Sequence, residues 1–193
     1  MRIISGTARG LRLAEVGAGD RAAHLRPTSD RVREAIFNLL ASGAYGDPIG
    51  RARVLDLFAG TGALGLEALS RGAARASFVD DGTAARALMR ENIEKMRAMG
   101  RTDVWRRDAT KLGENRGAAY GLIFLDPPYG KGLGPLALAA ARAGGWIAPG
   151  AVIVWEESAP QPAPAGLLPR DQRRYGDTWV TILQAPEAGT PPA

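Results

Sequence analysis

Cysteine is absent from this 193-residue chain, and His24 is its single histidine. Without thiols there is no disulfide, no thiolate nucleophile and no cysteine-ligated zinc or iron–sulfur centre, and one imidazole leaves little for a nitrogen-rich metal site. No metal is expected. Lysine is nearly missing as well: among 25 basic residues only Lys95, Lys111 and Lys131 are lysines. No apolar run approaches the roughly 20 residues that span a bilayer, and the opening MRIISGTARG lacks the apolar centre of a secretory leader. A cytoplasmic protein with no membrane partner is therefore expected.

What is present is enough apolar material, 46% of residues, for one compact domain with a sizeable core. The formal net charge is +5 and the sequence pI about 10.1, carried almost entirely by arginine. Arginine's planar fork suits phosphates and base edges, but the same bias arises in a GC-rich genome, and the composition leaves both causes open.

Loose alternation through MRIISGTARGLRLAEV, with Gly6 and Gly10, predicts a short basic β-hairpin or strand pair. In LRPTSDRVREAIFNLLAS, Pro27 disfavours helix at Arg26, Thr28 or Ser29 can cap, and Val32, Ala35, Ile36, Leu39 and Leu40 fall on one helical face. From residue 53 the rhythm is strand, turn, helix: RVLDLF then GALGLEALSRG, ASFVD then GTAARALMRENIEKMRAMG, TDVWRRDA, YGLIFLD then PLALAAARAGG. Such alternation predicts a parallel sheet covered on both faces. GAVIVWEES adds a strand, a proline-rich loop follows, and LLPRDQRRYGDTWVTIL predicts two strands around the YGDT turn.

The first strand runs into GTGALG, with Gly60, Gly62 and Gly65 opening a helix. Glycines let backbone turn tightly and approach a ligand, and free amides at the helix start receive polar groups. Asp80 ends the next strand, where a carboxylate can take both hydroxyls of a ribose. A nicotinamide-binding turn has this same form. Asp56, four residues before Gly60, shifts the balance: it would repel a pyrophosphate but hold the amino cation of S-adenosylmethionine. Asp108, after the third strand, is placed to accept from an adenine amine.

The fourth strand ends in DPPYGKG, Asp126 to Gly132. Prolines donate nothing to a sheet ladder, so the strand must stop there, at the edge where open α/β sheets bind ligands. An exocyclic amine on a base is a poor nucleophile, because its lone pair is delocalised into the ring. Acceptors that hold its hydrogens favour the pyramidal geometry of attack. Asp126 and the Pro127 carbonyl supply two acceptors, Pro127 and Pro128 fix that carbonyl, and Tyr129 offers a stacking face for a flipped or unpaired base. Lys131, between Gly130 and Gly132, either contacts RNA or sits in a plain turn.

DLFAGTGALGLEALSRGA together with DPPY resembles the class I, S-adenosylmethionine-dependent amino-methyltransferases. MRIISGTARGLRL, RPTSDRVREAIFNLL and GLIFLDPPYGKGL narrow the likeness to the bacterial enzymes that methylate a guanine N2 in 16S ribosomal RNA, over nearly the whole chain. The resemblance implies a Rossmann-like α/β fold with a seven-stranded, mostly parallel sheet and a reversed last strand, TWVTIL. It implies an N-terminal hairpin and helix extension over 1–45, a methyltransferase core over 46–184 and a flexible tail over 185–193. It implies S-adenosylmethionine contacts at Asp56, Gly60, Gly62, Asp80 and Asp108, catalysis by Asp126, Pro127, Pro128 and Tyr129, and substrate contacts at Arg26, Thr28, Tyr129 and Lys131. The implied partner is ribosomal RNA within the small subunit or an assembly intermediate. Asp80 departs from the family's frequent glutamate, and Thr7 and Ala8 stand where basic and aromatic residues are common.

Arg2, Arg9, Arg12, Arg26, Arg31 and Arg33 form either an RNA-facing patch or an ordinary solvated face. His24 is expected to be structural, and Trp105, Trp146, Trp155 and Trp179 to lie in the core. Rival functions are an amino-methyltransferase acting on DNA or protein, a nicotinamide-dependent oxidoreductase, and a non-catalytic RNA-binding protein.

Overall fold

The structure, a computed structural model, describes residues 1–15 and 29–189. The strands are β1 (Arg53–Leu57), β2 (Arg75–Val79), β3 (Thr102–Trp105), β4 (Tyr120–Leu125), β5 (Ile147–Glu157), β6 (Leu168–Tyr175) and β7 (Thr178–Gln184). The helices are α1 (Asp30–Leu40), α2 (Ala63–Ser70), α3 (Thr83–Lys95) and α4 (Leu133–Ala143). One seven-stranded sheet has the order β3-β2-β1-β4-β5-β7-β6. Strands β1 to β5 pair in parallel, and β7 is reversed against both of its neighbours, β5 and β6.

Alternate residues of each central strand feed two cores. Val54, Leu122, Phe124, Val152 and Val154 face α1, α2 and α3, whereas Leu55, Leu57, Ile123, Leu125 and Ile153 face α4. Burial on both faces explains why these strands are almost continuously apolar. Phe37 of α1 meets Phe124 with ring centroids 5.6 Å apart, which fixes α1 across β4. Edge strand β6 is polar and exposed, carrying Pro169, Arg170, Arg173 and Arg174, a composition that discourages pairing with another chain.

Ser29 caps α1, its hydroxyl accepting from the Val32 amide at 3.2 Å. The buried stripe of α1 is Arg33, Ile36, Phe37, Leu39 and Leu40; Val32 and Ala35, expected on that stripe, are only partly buried. The expected hairpin is present in short form, one antiparallel bridge of Arg2 with Arg12 flanked by backbone bonds from Ile3 to Leu11 and from Leu13 to Met1, and the segment is also fastened to α2. Glu67 accepts from the Ile4 and Ser5 amides at 2.7 and 3.0 Å, and the Ser70 hydroxyl accepts from Ala8 at 2.9 Å. At Gly6, φ is +84° and a Cβ would lie 1.9 Å from the Ser70 carbonyl oxygen, so no other residue fits there.

Arg33 corrects the expectation of an arginine patch. It is fully buried, hydrogen-bonded to Asp30 at 3.0 Å and to the Arg2 carbonyl, and 3.9 Å from the equally buried Glu67. Arg2, Arg9, Arg12 and Arg31 are exposed. Trp146 and Trp155 are core residues as expected, whereas Trp105 and Trp179 are only half-buried. Arg26, Thr28 and His24 lie outside the described residues.

Candidate active site

The chain leaves β1 toward β2 and β3 on one side, then returns so that β4 pairs with β1 on the other. That reversal is the switch point at which open α/β sheets bind ligands, beyond the carboxyl ends of the strands. It brings the glycine turn after β1 beside the DPPY segment after β4, although the two are far apart in sequence.

The glycine turn begins in the left-handed region at Phe58, φ 58°, followed by Gly60 at 55° and Gly62 at 78°. A non-glycine residue there costs on the order of 1–3 kcal/mol, and Phe58 is the residue of the turn that the glycine pattern did not disclose. At Gly62 a Cβ would press on Met89 and Phe78 at 3.1 and 3.3 Å. At Gly65 it would lie 2.4 Å from the Phe78 ring, so the third glycine lets α2 close on the sheet.

Four carboxylates stand on this edge. In strand order β3, β2, β1, β4 they are Asp108, Asp80, Asp56 and Asp126, a row spanning three strand spacings, roughly 14 Å. Asp56 is buried under the turn, where one oxygen accepts from the Gly65 amide at 2.9 Å. Burial pushes its carboxyl well above the usual range; the Gly65 amide opposes this, and the neighbouring Asp126 and Asp80 charges reinforce it. Asp80 accepts from the Gly60 amide at 2.9 Å and from Gly82 at 2.8 Å. Burial raises it too, against the pull of those two amides. Asp108 caps the short 3-10 turn Ala109–Lys111, accepting from the Thr110 hydroxyl at 2.7 Å and amide at 2.8 Å, and these bonds hold it below the ordinary carboxylate range.

Asp126 is half-buried, and its amide reaches the Leu57 carbonyl at 3.4 Å, stitching the end of β4 to β1. Pro127 is buried and Pro128 exposed. The next two residues are held from the far side of the sheet. The Tyr129 hydroxyl pairs with the Thr178 hydroxyl at 3.2 Å, and the Gly130 amide donates to Glu157 at 3.1 Å. Glu157 is buried and also takes the Ser158 amide and hydroxyl. Lys131 is exposed on the loop into α4.

Glu157 and Thr178 give no sequence signal, because each acts through a contact made only when β5 pairs with β4 and β7 with β5. The same holds for Asn92 on α3. It is fully buried, and its amide binds the Ala14 backbone on one side and the Thr61 carbonyl of the glycine turn, at 3.0 Å, on the other. Among the described residues no group of histidines and acids is arranged to hold a metal, and no helix is long and apolar enough to cross a membrane.

Comparison with known proteins agrees with this architecture. The chain is 38% identical over 156 residues to ribosomal RNA small subunit methyltransferase D of Escherichia coli, a match covering 81% of this chain and 74% of that protein. It is 42% identical over 132 residues to the putative rRNA methyltransferase YlbH of Bacillus subtilis, covering 67% of each. The solved structure of the putative methyltransferase yhhF from Escherichia coli superposes with a TM-score of 0.81 at 34% identity, covering 97% of this chain and 98% of that one. The fold is that of a Rossmann-like class I methyltransferase, which implies a cofactor of the S-adenosylmethionine type. The model of the family described as "Conserved hypothetical protein 95" matches residues 1–184, and the chain belongs to that family.

Proposed function

We propose that the protein transfers a methyl group from S-adenosylmethionine to the exocyclic N2 of a guanine in small-subunit ribosomal RNA. The observation that carries this reading is the row of acids across β3, β2, β1 and β4, in register with the glycine turn and ending at DPPY. An adenine amine at Asp108, ribose hydroxyls at Asp80 and an amino cation drawn toward Asp56 follow the linear order of groups in S-adenosylmethionine. A dinucleotide would instead set its pyrophosphate over Asp56, charge against charge. The cradle also fits the cofactor sterically: Gly60 and Gly62 take left-handed backbone without a side chain, and at Gly62 a Cβ would press into the core.

The bound cofactor supplies an electrophilic methyl on a sulfonium, so displacement by nitrogen needs neither metal nor strong base. The protein's work is placement, the main source of rate when the reagent is already activated. Asp80 and Asp108 each retain acceptor capacity beyond their backbone bonds, because an ionised carboxylate has about four lone-pair sites. Asp126 and the Pro127 carbonyl accept the two N2 hydrogens and aim the nitrogen lone pair. Tyr129, tethered through its hydroxyl to Thr178, presents its ring to the base. As the N–C bond forms, the amine becomes cationic; Asp126 stabilises that charge and receives the departing proton.

The names borne by the relatives support ribosomal RNA as the substrate. Incubating the protein with methyl-labelled S-adenosylmethionine and small-subunit RNA, free or as particles, tests the reading. Label in RNA is expected; label only in DNA or protein, or none alongside tight binding of a nicotinamide dinucleotide, would overturn it.

A further inference from the structure

Beside Tyr129 the molecule has an open cleft of about 690 Å³, a volume able to take a nucleotide-sized group. One wall is the first turns of α1, contributing Arg31, Val32 and Ala35. The other is the β6–β7 turn, contributing Arg174 and Asp177, with Thr178 at the point where it bonds Tyr129. This explains why Val32 and Ala35 stay partly exposed on an otherwise buried helix face: both line the cleft, Val32 while also packing against the core.

Charge is placed on both rims. Arg31 and Arg174 are exposed, and neither guanidinium is ion-paired among the described residues. Arg174 is already oriented, since its Nε donates to the Gly176 carbonyl at 2.8 Å and leaves the terminal nitrogens for a ligand. Arginine in this setting favours phosphate oxygens. Asp177 repels phosphate, which confines a polyanion to the two arginine rims and leaves the cleft itself for a base.

We propose that this cleft seats the target nucleotide of a single-stranded RNA segment, with Arg31 and Arg174 holding the backbone phosphates on its two sides while the base lies against Tyr129. This rests on the proposed RNA-methylating function and extends it to the β6–β7 turn, the far end of the sheet from the cofactor.

The test is the salt dependence of RNA affinity for wild type, Arg31→Ala, Arg174→Ala and the double variant, with methyl transfer and S-adenosylhomocysteine binding followed in parallel. Each alanine should lower the slope of log affinity against log salt by about 0.7, the value for one phosphate contact on a single strand. The apparent KM for RNA should rise roughly tenfold per arginine at low salt, with kcat at saturating RNA and S-adenosylhomocysteine affinity unchanged. Arg31→Lys and Arg174→Lys should restore the slope. Arg116→Ala, an exposed change in the loop before β4 at the opposite end of that strand, should leave it untouched. An unaltered slope in the double variant, with wild type methylating RNA normally, overturns the cleft assignment alone. Failure of wild type to methylate RNA overturns the proposed function instead.

Discussion

The two halves of the site are held by different means. On the β1–β3 side each acid is tied by backbone amides: Asp80 by Gly82 beside it and by Gly60 of the turn after β1, Asp56 by Gly65, Asp108 by Thr110. On the β4–β7 side the DPPY segment is held by side chains of other strands: Gly130 by Glu157 on the adjacent β5, and Tyr129 by Thr178 on β7. The first half, the proposed cofactor cradle, is a set of turns whose backbone amides hold its acids. The second is a segment held by side chains of β5 and β7, on the side of the sheet where the β6–β7 hairpin and the start of α1 wall the cleft. If the first half holds the cofactor and the second presents the substrate, as proposed, substitutions on the two sides should fail in different ways.

Asp126→Ala should do the most damage, because it removes the acceptor on the attacking amine. Turnover should fall by about 10²–10⁴-fold, while calorimetry finds S-adenosylhomocysteine affinity within a few-fold of wild type. Asp80→Ala should show the reverse pattern. Loss of its hydrogen bonds to the ribose, on the order of 1.5–3 kcal/mol, should weaken S-adenosylhomocysteine by roughly 10–100-fold, with kcat largely recovered at saturating cofactor. Equal loss of cofactor affinity in both variants would erase the distinction between the halves.

Gly65→Ala tests the packing of the first half. The added Cβ lies 2.4 Å from Phe78 and cannot be accommodated without moving α2 or the ring. Overpacking of this kind costs typically about 1–3 kcal/mol, which thermal denaturation should register as a lower Tm. Glu157→Ala tests the second half. It should reduce kcat about tenfold, by an amount comparable to losing one charge-assisted hydrogen bond, without altering cofactor affinity. Glu157→Gln, which keeps an acceptor for Gly130, should restore most of the rate. A merely structural Glu157 would lose Tm without this split.

The mildest change should come with pH. The folded-state pKa of Asp56 is raised above its unfolded value by burial. The folded protein therefore holds that proton more tightly, and the resulting stability is complete below the unfolded value near 3.8 and is lost as pH rises through the folded one. Asp56→Asn should flatten the decline of Tm across this window and make the cofactor-free protein relatively more stable at neutral pH. An identical pH profile in the variant would show that burial of Asp56 imposes no such cost.

The same contrast explains what could be read in the sequence. The parallel strands, the two strands around the YGDT turn and the amphipathic helices are legible because period and turn chemistry are local; that TWVTIL is the reversed strand comes from the family resemblance alone. GTGALG and DPPY are legible too, since glycine and proline restrict backbone wherever they occur. Their meeting at the switch point follows from the strand order, not from spacing. Arg33 looked like one more surface arginine; its burial against Glu67 depends on α1 lying across α2, which no helical periodicity states. Asn92, Glu157 and Thr178 are illegible for the same reason, as is the clamp by which Glu67 and Ser70 hold the short N-terminal hairpin.

In the proposed chemistry the two halves of the site converge on one atom, the nitrogen that would receive the methyl group. Small-subunit particles should be incubated with the protein and S-adenosylmethionine, and their RNA digested and mapped by mass spectrometry. N2-methylguanosine is predicted at a single position, and it should be absent when Asp126→Ala replaces wild type. A methyl group on another base or on a ring nitrogen, or undiminished methylation by Asp126→Ala, would contradict the proposed chemistry.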